Sequence, residues 1–242
     1  MSLLTVDNLT KRFGGVTALQ NVSFNVEEGE IFGVMGANGA GKTTLFSVIA
    51  GNETPSTGQI TFRGERIDRK RPDRICRRGI ARTYQIVRPF AGMTVLENVM
   101  VGALFGAARE RSGARARARA LSILDAVGLQ DRAQDPASAL TLAGCKRLEV
   151  ARALATGPRL LMLDEVLAGL TATEVAEALD MIRKLHREEN LTLLVIEHVM
   201  GALMELCDRI LVLHHGERIA EDRPQIVADD PAVIEAYLGT EQ

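Results

Sequence analysis

The run Gly36-Ala37-Asn38-Gly39-Ala40-Gly41-Lys42-Thr43 fits G-x-x-x-x-G-K-[ST], and no other stretch restricts the chain as strongly. The apolar residues Ile31–Met35 before it predict a strand. Leu45, Val48 and Ile49 after it recur at helical spacing, with Gly51 as a stop. A strand, a glycine-rich turn and a helix in that order make an anion cradle, because the glycines let successive N–H groups face inward and the helix adds its positive end. Asn38, Gly39, Ala40, Gly41, Lys42, Thr43 and Thr44 are therefore candidates for holding the phosphates of ATP. Lys42 is expected to reach the β- and γ-phosphates as a point charge, and the Thr43 hydroxyl to ligate Mg2+, a cation that takes oxygen ligands.

A second candidate follows from Leu160-Leu161-Met162-Leu163-Asp164-Glu165. A buried strand that ends in an acid puts a carboxylate at the carboxyl edge of a sheet, where open α/β folds bind ligands. Asp164 is the candidate for holding Mg2+, and Glu165 for orienting and deprotonating a water. An Asp-Glu pair alone is commonly just a strand end; its weight comes from the glycine-rich loop upstream.

The surrounding pattern is α/β. Leu3–Leu9, Val22–Val26, Gln59–Phe62, Leu191–Ile196 and Ile210–Leu213 predict strands. Residues 86–157 are helical and strand-poor. There Arg109–Arg119 predicts an exposed helix with Arg111, Arg115 and Arg119 on one solvated face, and Lys146–Thr156 a second helix. Thr171-Ala172-Thr173-Glu174 is a capping box opening a helix with Val175, Ala178, Leu179, Ile182 and Leu185 inward. Apolar strands bracketed by helices imply a mostly parallel sheet with the helical middle inserted into it.

Composition narrows the classes. Of 242 residues, 46% are hydrophobic and 25% charged, which excludes disorder as the main state. The 29 basic and 31 acidic residues balance to −2, without the basic excess of nucleic-acid-binding domains. Three scattered cysteines, Cys76, Cys145 and Cys207, suit a reducing compartment. The opening MSLLTVDNLTKRFGG lacks a basic head and a long apolar run, and predicts no signal peptide. The apolar stretches fall short of the roughly 20 residues a spanning helix needs.

From Leu3 to about Gly239 the spacing of further elements resembles the ABC ATPase family. The resemblance implies a P-loop NTPase (RecA-like) core over 1–85 and 158–223, with an N-terminal antiparallel β portion. It also implies an inserted α-helical subdomain over 86–157 and a C-terminal tail helix over 224–242. Phe13 stands where the family carries an aromatic that stacks on adenine, while on its own it reads equally as a core residue. Gln85, after Ala81-Arg82-Thr83-Tyr84, is similar to the Q-loop glutamine that senses the γ-phosphate and metal. His198 is similar to the switch histidine that contacts the γ-phosphate.

Leu140-Thr141-Leu142-Ala143-Gly144 occupies the place of the LSGGQ signature. Thr141 replaces its serine, while Ala143 and Gly144 replace a glycine and a glutamine. Amides at the start of the helix expected from Lys146 still offer positive dipole to an anion. Val166 departs from the usual proline.

Phe13-Gly14-Gly15, ARTYQIVRPFAGMTVLENV, Ala168-Gly169-Leu170 and the tail VIEAYLG resemble ATP-binding subunits of branched-chain or hydrophobic amino-acid importers. That likeness implies ATP and Mg2+ as cofactors and transmembrane permease subunits as partners. It also implies a second ATP-binding subunit, identical or sister, and indirectly a periplasmic or extracellular solute-binding protein, with no nucleic acid involved. The expected place is the cytoplasmic face of the inner membrane, peripherally attached, with Ile86–Met100 (Phe90, Met93 and Val95 among them) either facing the permease or packed in the core. Two alternatives stay open: a soluble ABC ATPase of another process, and an ATP-binding module with weak hydrolysis.

Overall fold

A computed structural model of the chain describes residues 2–85 and 88–238. In chain order the elements are β1 (Ser2–Phe13), β2 (Val16–Glu27), β3 (Ile31–Met35), α1 (Lys42–Ile49), β4 (Thr57–Phe62), β5 (Glu65–Arg66), α2 (Pro72–Cys76) and β6 (Ile80–Arg82). Then come α3 (Val95–Phe105), α4 (Gly113–Ala126), α5 (Leu142–Ala155), β7 (Leu160–Asp164), α6 (Ala172–Glu188) and β8 (Thr192–Ile196). The chain closes with α7 (Met200–Leu206), β9 (Arg209–His214), β10 (Glu217–Asp222), α8 (Pro224–Ala228) and α9 (Pro231–Leu238). These elements fall into two compact units, Met1–Ile75 with Thr192–Gln242, and Cys76–Leu191.

The first unit holds an antiparallel sheet in the order β2-β1-β4-β5. In a second sheet β3 runs parallel to both β8 and β9, with Val34 opposite Ile196 on one side and Leu211 on the other, and β10 is antiparallel to β9. Every residue of β3 and β8 is buried. Strands covered on both faces read as near-continuous apolar runs, broken in β8 by Thr192, whose hydroxyl accepts from the Gly29 N–H.

In the second unit β6 and β7 pair in parallel, Ala81 opposite Leu161. Helices α3, α4 and α5 pack on one another. Thr94 caps α3 and Thr171 caps α6, each with a complete capping box closed by Glu97 or Glu174. The expected inward set of α6 holds at Ala178, Leu179, Ile182 and Leu185, while Val175 is only half-buried.

Several boundaries differ from expectation for identifiable reasons. β1 and β2 are twelve residues each, longer than the alternation suggested. Their register shifts between Val6 and Leu9 and again between Leu9 and Lys11, which breaks the two-residue period. Helix α4 starts at Gly113 behind the Ser112 cap, so Arg111 precedes the helix; Arg119 turns back to donate to the Ala155 carbonyl at 3.3 Å. Helix α5 starts four residues before the expected Lys146, because the Thr141 hydroxyl accepts from the Gly144 N–H and fixes the first turn there. The tail carries two short helices, α8 and α9, with Asp229 and Asp230 between them. No helix among the described residues is long and apolar enough to cross a membrane.

Candidate nucleotide site

The first unit carries the glycine-rich loop. It leaves β3 at Met35 and enters α1 at Lys42. Two of its glycines are fixed by space. A Cβ on Gly36 would lie 2.4 Å from the Leu213 carbonyl oxygen, and one on Gly41, whose φ is +104°, 2.5 Å from that of Ala18. Only a residue without a side chain lets the backbone pass so close.

Lys42 is buried, and its ammonium donates to the carbonyls of Gly36 at 2.6 Å and Ala37 at 3.0 Å. Ala40 is buried, while Asn38, Gly39 and Thr43 face outward and Thr44 is half-buried. The loop therefore exposes Asn38, Gly39 and Thr43 and keeps its one cation folded back on its own carbonyls.

His198 is exposed two residues beyond β8. Since Val34 of β3 stands opposite Ile196, the histidine leaves the parallel sheet at the same edge as the loop. Phe13, at the end of β1, is 45% exposed with the Lys11 ammonium 4.5 Å from its ring centre, which excludes the core alternative. At the end of β3, Met35, Met200, Met204, Val233, Ile234 and Tyr237 help to line an open apolar cleft of about 210 Å³. Burial pushes the Tyr237 phenol above its ordinary range, and the Gly36 N–H facing its hydroxyl pulls the other way. The tail thus packs against the start of the phosphate loop.

The second unit carries the acids. Asp164 ends β7 and is 1% exposed; Glu165 follows in the left-handed region at φ +51° and is 6% exposed. A short run on and after β6 holds both. The Arg82 guanidinium donates to Asp164 Oδ2 at 2.7 Å, the Asp164 N–H donates to Thr83 Oγ1 at 2.9 Å, and Gln85 Nε2 donates to Glu165 Oε2 at 2.7 Å. From α5 the buried Lys146 ammonium donates to the Glu165 carbonyl at 2.8 Å and pins its unusual backbone.

Thr141, Ala143 and Gly144 form the cap and first turn of that same helix, inside it and not ahead of a helix starting at Lys146. Of the residues singled out from sequence, Phe13, the loop residues and His198 lie in the first unit. Gln85, Thr141, Ala143, Gly144, Asp164 and Glu165 lie in the second.

Arg82 and Lys146 escaped the sequence reading. Each had a signal: a cation on the short strand Ile80-Ala81-Arg82, whose two other residues are apolar and buried, needs a carboxylate, and a lysine on the apolar side of a helix needs an acceptor. Among the expected permease-facing residues, Phe90 and Met93 are exposed, whereas Val95 is fully buried in α3. Ile86, in that same segment, and Gly239, at the end of the tail, lie outside the described residues.

A family model for ABC transporters matches residues 19–168, and one for branched-chain amino acid ATP-binding cassette transporters matches residues 217–242. The chain is 40% identical over 249 aligned residues to the high-affinity branched-chain amino acid transport ATP-binding protein LivG of Salmonella typhimurium, covering 98% of each. Among solved structures it is similar to the ADP conformation of MJ1267, an ATP-binding cassette of an ABC transporter. There the TM-score is 0.88, with 30% identity and 99% of both chains covered. It is also similar to the dimeric post-hydrolysis state of the cassette MJ0796 bound to ADP and Pi, with a TM-score of 0.82, 27% identity, and 91% of this chain and 98% of that one covered. The glycine loop, the strand-ending acids and these full-length likenesses agree, and the chain belongs to the ABC transporter family of ATP-binding cassettes.

Proposed function

We propose that the chain is the ATP-hydrolysing subunit of an importer for branched-chain or other hydrophobic amino acids, driving a separate membrane permease. The observation that carries this reading is the likeness to LivG across 98% of both chains, down to a tail matched by the branched-chain family model.

In this reading the loop from Gly36 to Thr44 wraps the triphosphate, and Lys42 exchanges the Gly36 and Ala37 carbonyls for phosphate oxygens. The exposed Phe13 stacks on adenine. The residues fit magnesium as well, since the Thr43 hydroxyl and the Asp164 carboxylate are hard oxygen donors. Magnesium, when bound, neutralises phosphate charge during transfer. Glu165 aligns the attacking water and takes its proton. Its carboxylate is held by Gln85 and its backbone by Lys146, so the base meets the water in one orientation. His198 contacts the γ-phosphate from the edge that the glycine loop also leaves.

Two ATP-binding subunits, identical or sister, close over two nucleotides, each offering its Thr141–Gly144 turn to the other's ATP; the dimeric state of MJ0796 with ADP and Pi supports the pairing of two cassettes. Phe90 and Met93 face the permease, and the chain sits peripherally on the cytoplasmic face. A solute-binding protein outside the membrane delivers the amino acid to the permease.

The test is Glu165→Gln. We expect the purified variant to bind ATP as the wild type does, to lose roughly 10²- to 10⁴-fold in phosphate release, and to sediment as a dimer with ATP. Undiminished turnover removes Glu165 from its role.

A further inference from the structure

Asp164, the acid that ends β7, is held by an arginine from the neighbouring strand. Arg82 ends β6 and stands opposite Met162 of β7, so its side chain reaches two residues along the neighbouring strand to meet Asp164. The contact is 2.7 Å, and the two side chains are 7% and 2% exposed. Neither partner is positioned by chance. The Thr83 N–H donates to the Met162 carbonyl at 2.9 Å, and Thr83 Oγ1 accepts from the Asp164 N–H at 2.9 Å. The guanidinium also lies over the Tyr84 ring, 5.2 Å from its centre. A carboxylate already balanced by a buried cation attracts a second cation far less than a bare one, and the arginine repels the newcomer directly.

We propose that Arg82 is a positioning residue that keeps the Asp164 carboxylate paired, so that a divalent cation alone finds that acid already matched by a positive charge and enters only together with a nucleotide. This rests on the reading of Asp164 as the metal-facing carboxylate. Its consequence is an order of events: the metal arrives on the triphosphate and not ahead of it, and the acid then has its orientation fixed in advance. The run Arg82-Thr83-Tyr84-Gln85 thereby governs both acids, Arg82 setting the charge of Asp164 and Gln85 the orientation of Glu165.

The test uses Mn2+ alone, followed by electron paramagnetic resonance and by thermal melting, on the full chain without nucleotide. Arg82→Met is expected to bind Mn2+ about tenfold or more tightly than the wild type, with a melting temperature that rises as Mn2+ is added. Arg82→Lys keeps a cation and stays near the wild type. The double variant Arg82→Met with Asp164→Asn has no charge to balance, so it regains the thermal stability lost in the single variant and does not respond to Mn2+. If Arg82→Met fails to fold in buffer, millimolar Mn2+ must restore its fold for the proposal to stand.

An Mn2+ affinity in Arg82→Met equal to or weaker than the wild type overturns the proposal. MnATP binding to Asp164→Asn separates the two readings. If that variant holds MnATP as tightly as the wild type, the metal role of Asp164 falls and the proposal falls with it. If Asp164→Asn is impaired while Arg82→Met is unmoved, only the role of Arg82 is overturned.

Discussion

Gly41 shows how the phosphate loop is specified one residue at a time. Its φ of +104° lies where side chains are rarely held, and a Cβ there would press on the Ala18 carbonyl at 2.5 Å and on Leu19 at 2.9 Å. The obstructing atom is backbone of β2, which cannot swing aside as a long side chain could. Gly41→Ala should therefore cost about 1–3 kcal/mol of stability, read as a lower denaturation midpoint, and should weaken ATP binding because the loop feeds α1 directly. An unchanged midpoint would mean that the loop adapts to a side chain. Asp164 and Arg82 illustrate the opposite economy, in which neither charge is tolerable alone. Removing one partner of such a buried pair typically costs about 3–5 kcal/mol, although replacing both can be neutral.

Among the elements, α4 and α5 offer a matched comparison. Each is capped by one hydroxyl, that of Ser112 accepting from the Arg115 N–H and that of Thr141 accepting from the Gly144 N–H, both without a reciprocal glutamate. Ser112→Ala and Thr141→Ala should each lose about 1 kcal/mol in denaturation. Only Thr141→Ala should also slow ATP turnover, because only that turn is proposed to meet a nucleotide. Equal turnover in the two variants would reduce Thr141 to a cap.

The same elements show what the sequence discloses. β3, β7 and β8 were legible because burial on both faces leaves near-continuous apolar runs, and α6 because its capping box and apolar spacing agree. The ends of β1 and β2 were hidden by register shifts, and the start of α5 by Ala143 and Gly144, small residues that carry no periodic signal. Lys42, Thr43, Asp164 and Glu165 could be singled out because their chemistry follows a local pattern. Arg82 and Lys146 carry only the general signal of a cation among apolar residues, which names no partner: Asp164 lies 82 residues from Arg82, and Lys146 meets a backbone carbonyl, that of Glu165.

On the scale of the whole molecule, the chain divides its chemistry. The glycine loop, Phe13 and His198 belong to the unit formed by Met1–Ile75 and Thr192–Gln242; the acids, Gln85 and the Thr141 turn belong to Cys76–Leu191. In the function proposed above, these two sets serve one nucleotide. The most direct measurement is a crystal structure of the Glu165→Gln variant with MgATP. The predicted result is a single triphosphate whose β- and γ-oxygens meet the Lys42 ammonium at about 3 Å, with Thr43 and Asp164 turned toward the same magnesium ion. A nucleotide held by the glycine loop while Asp164 faces elsewhere would contradict it.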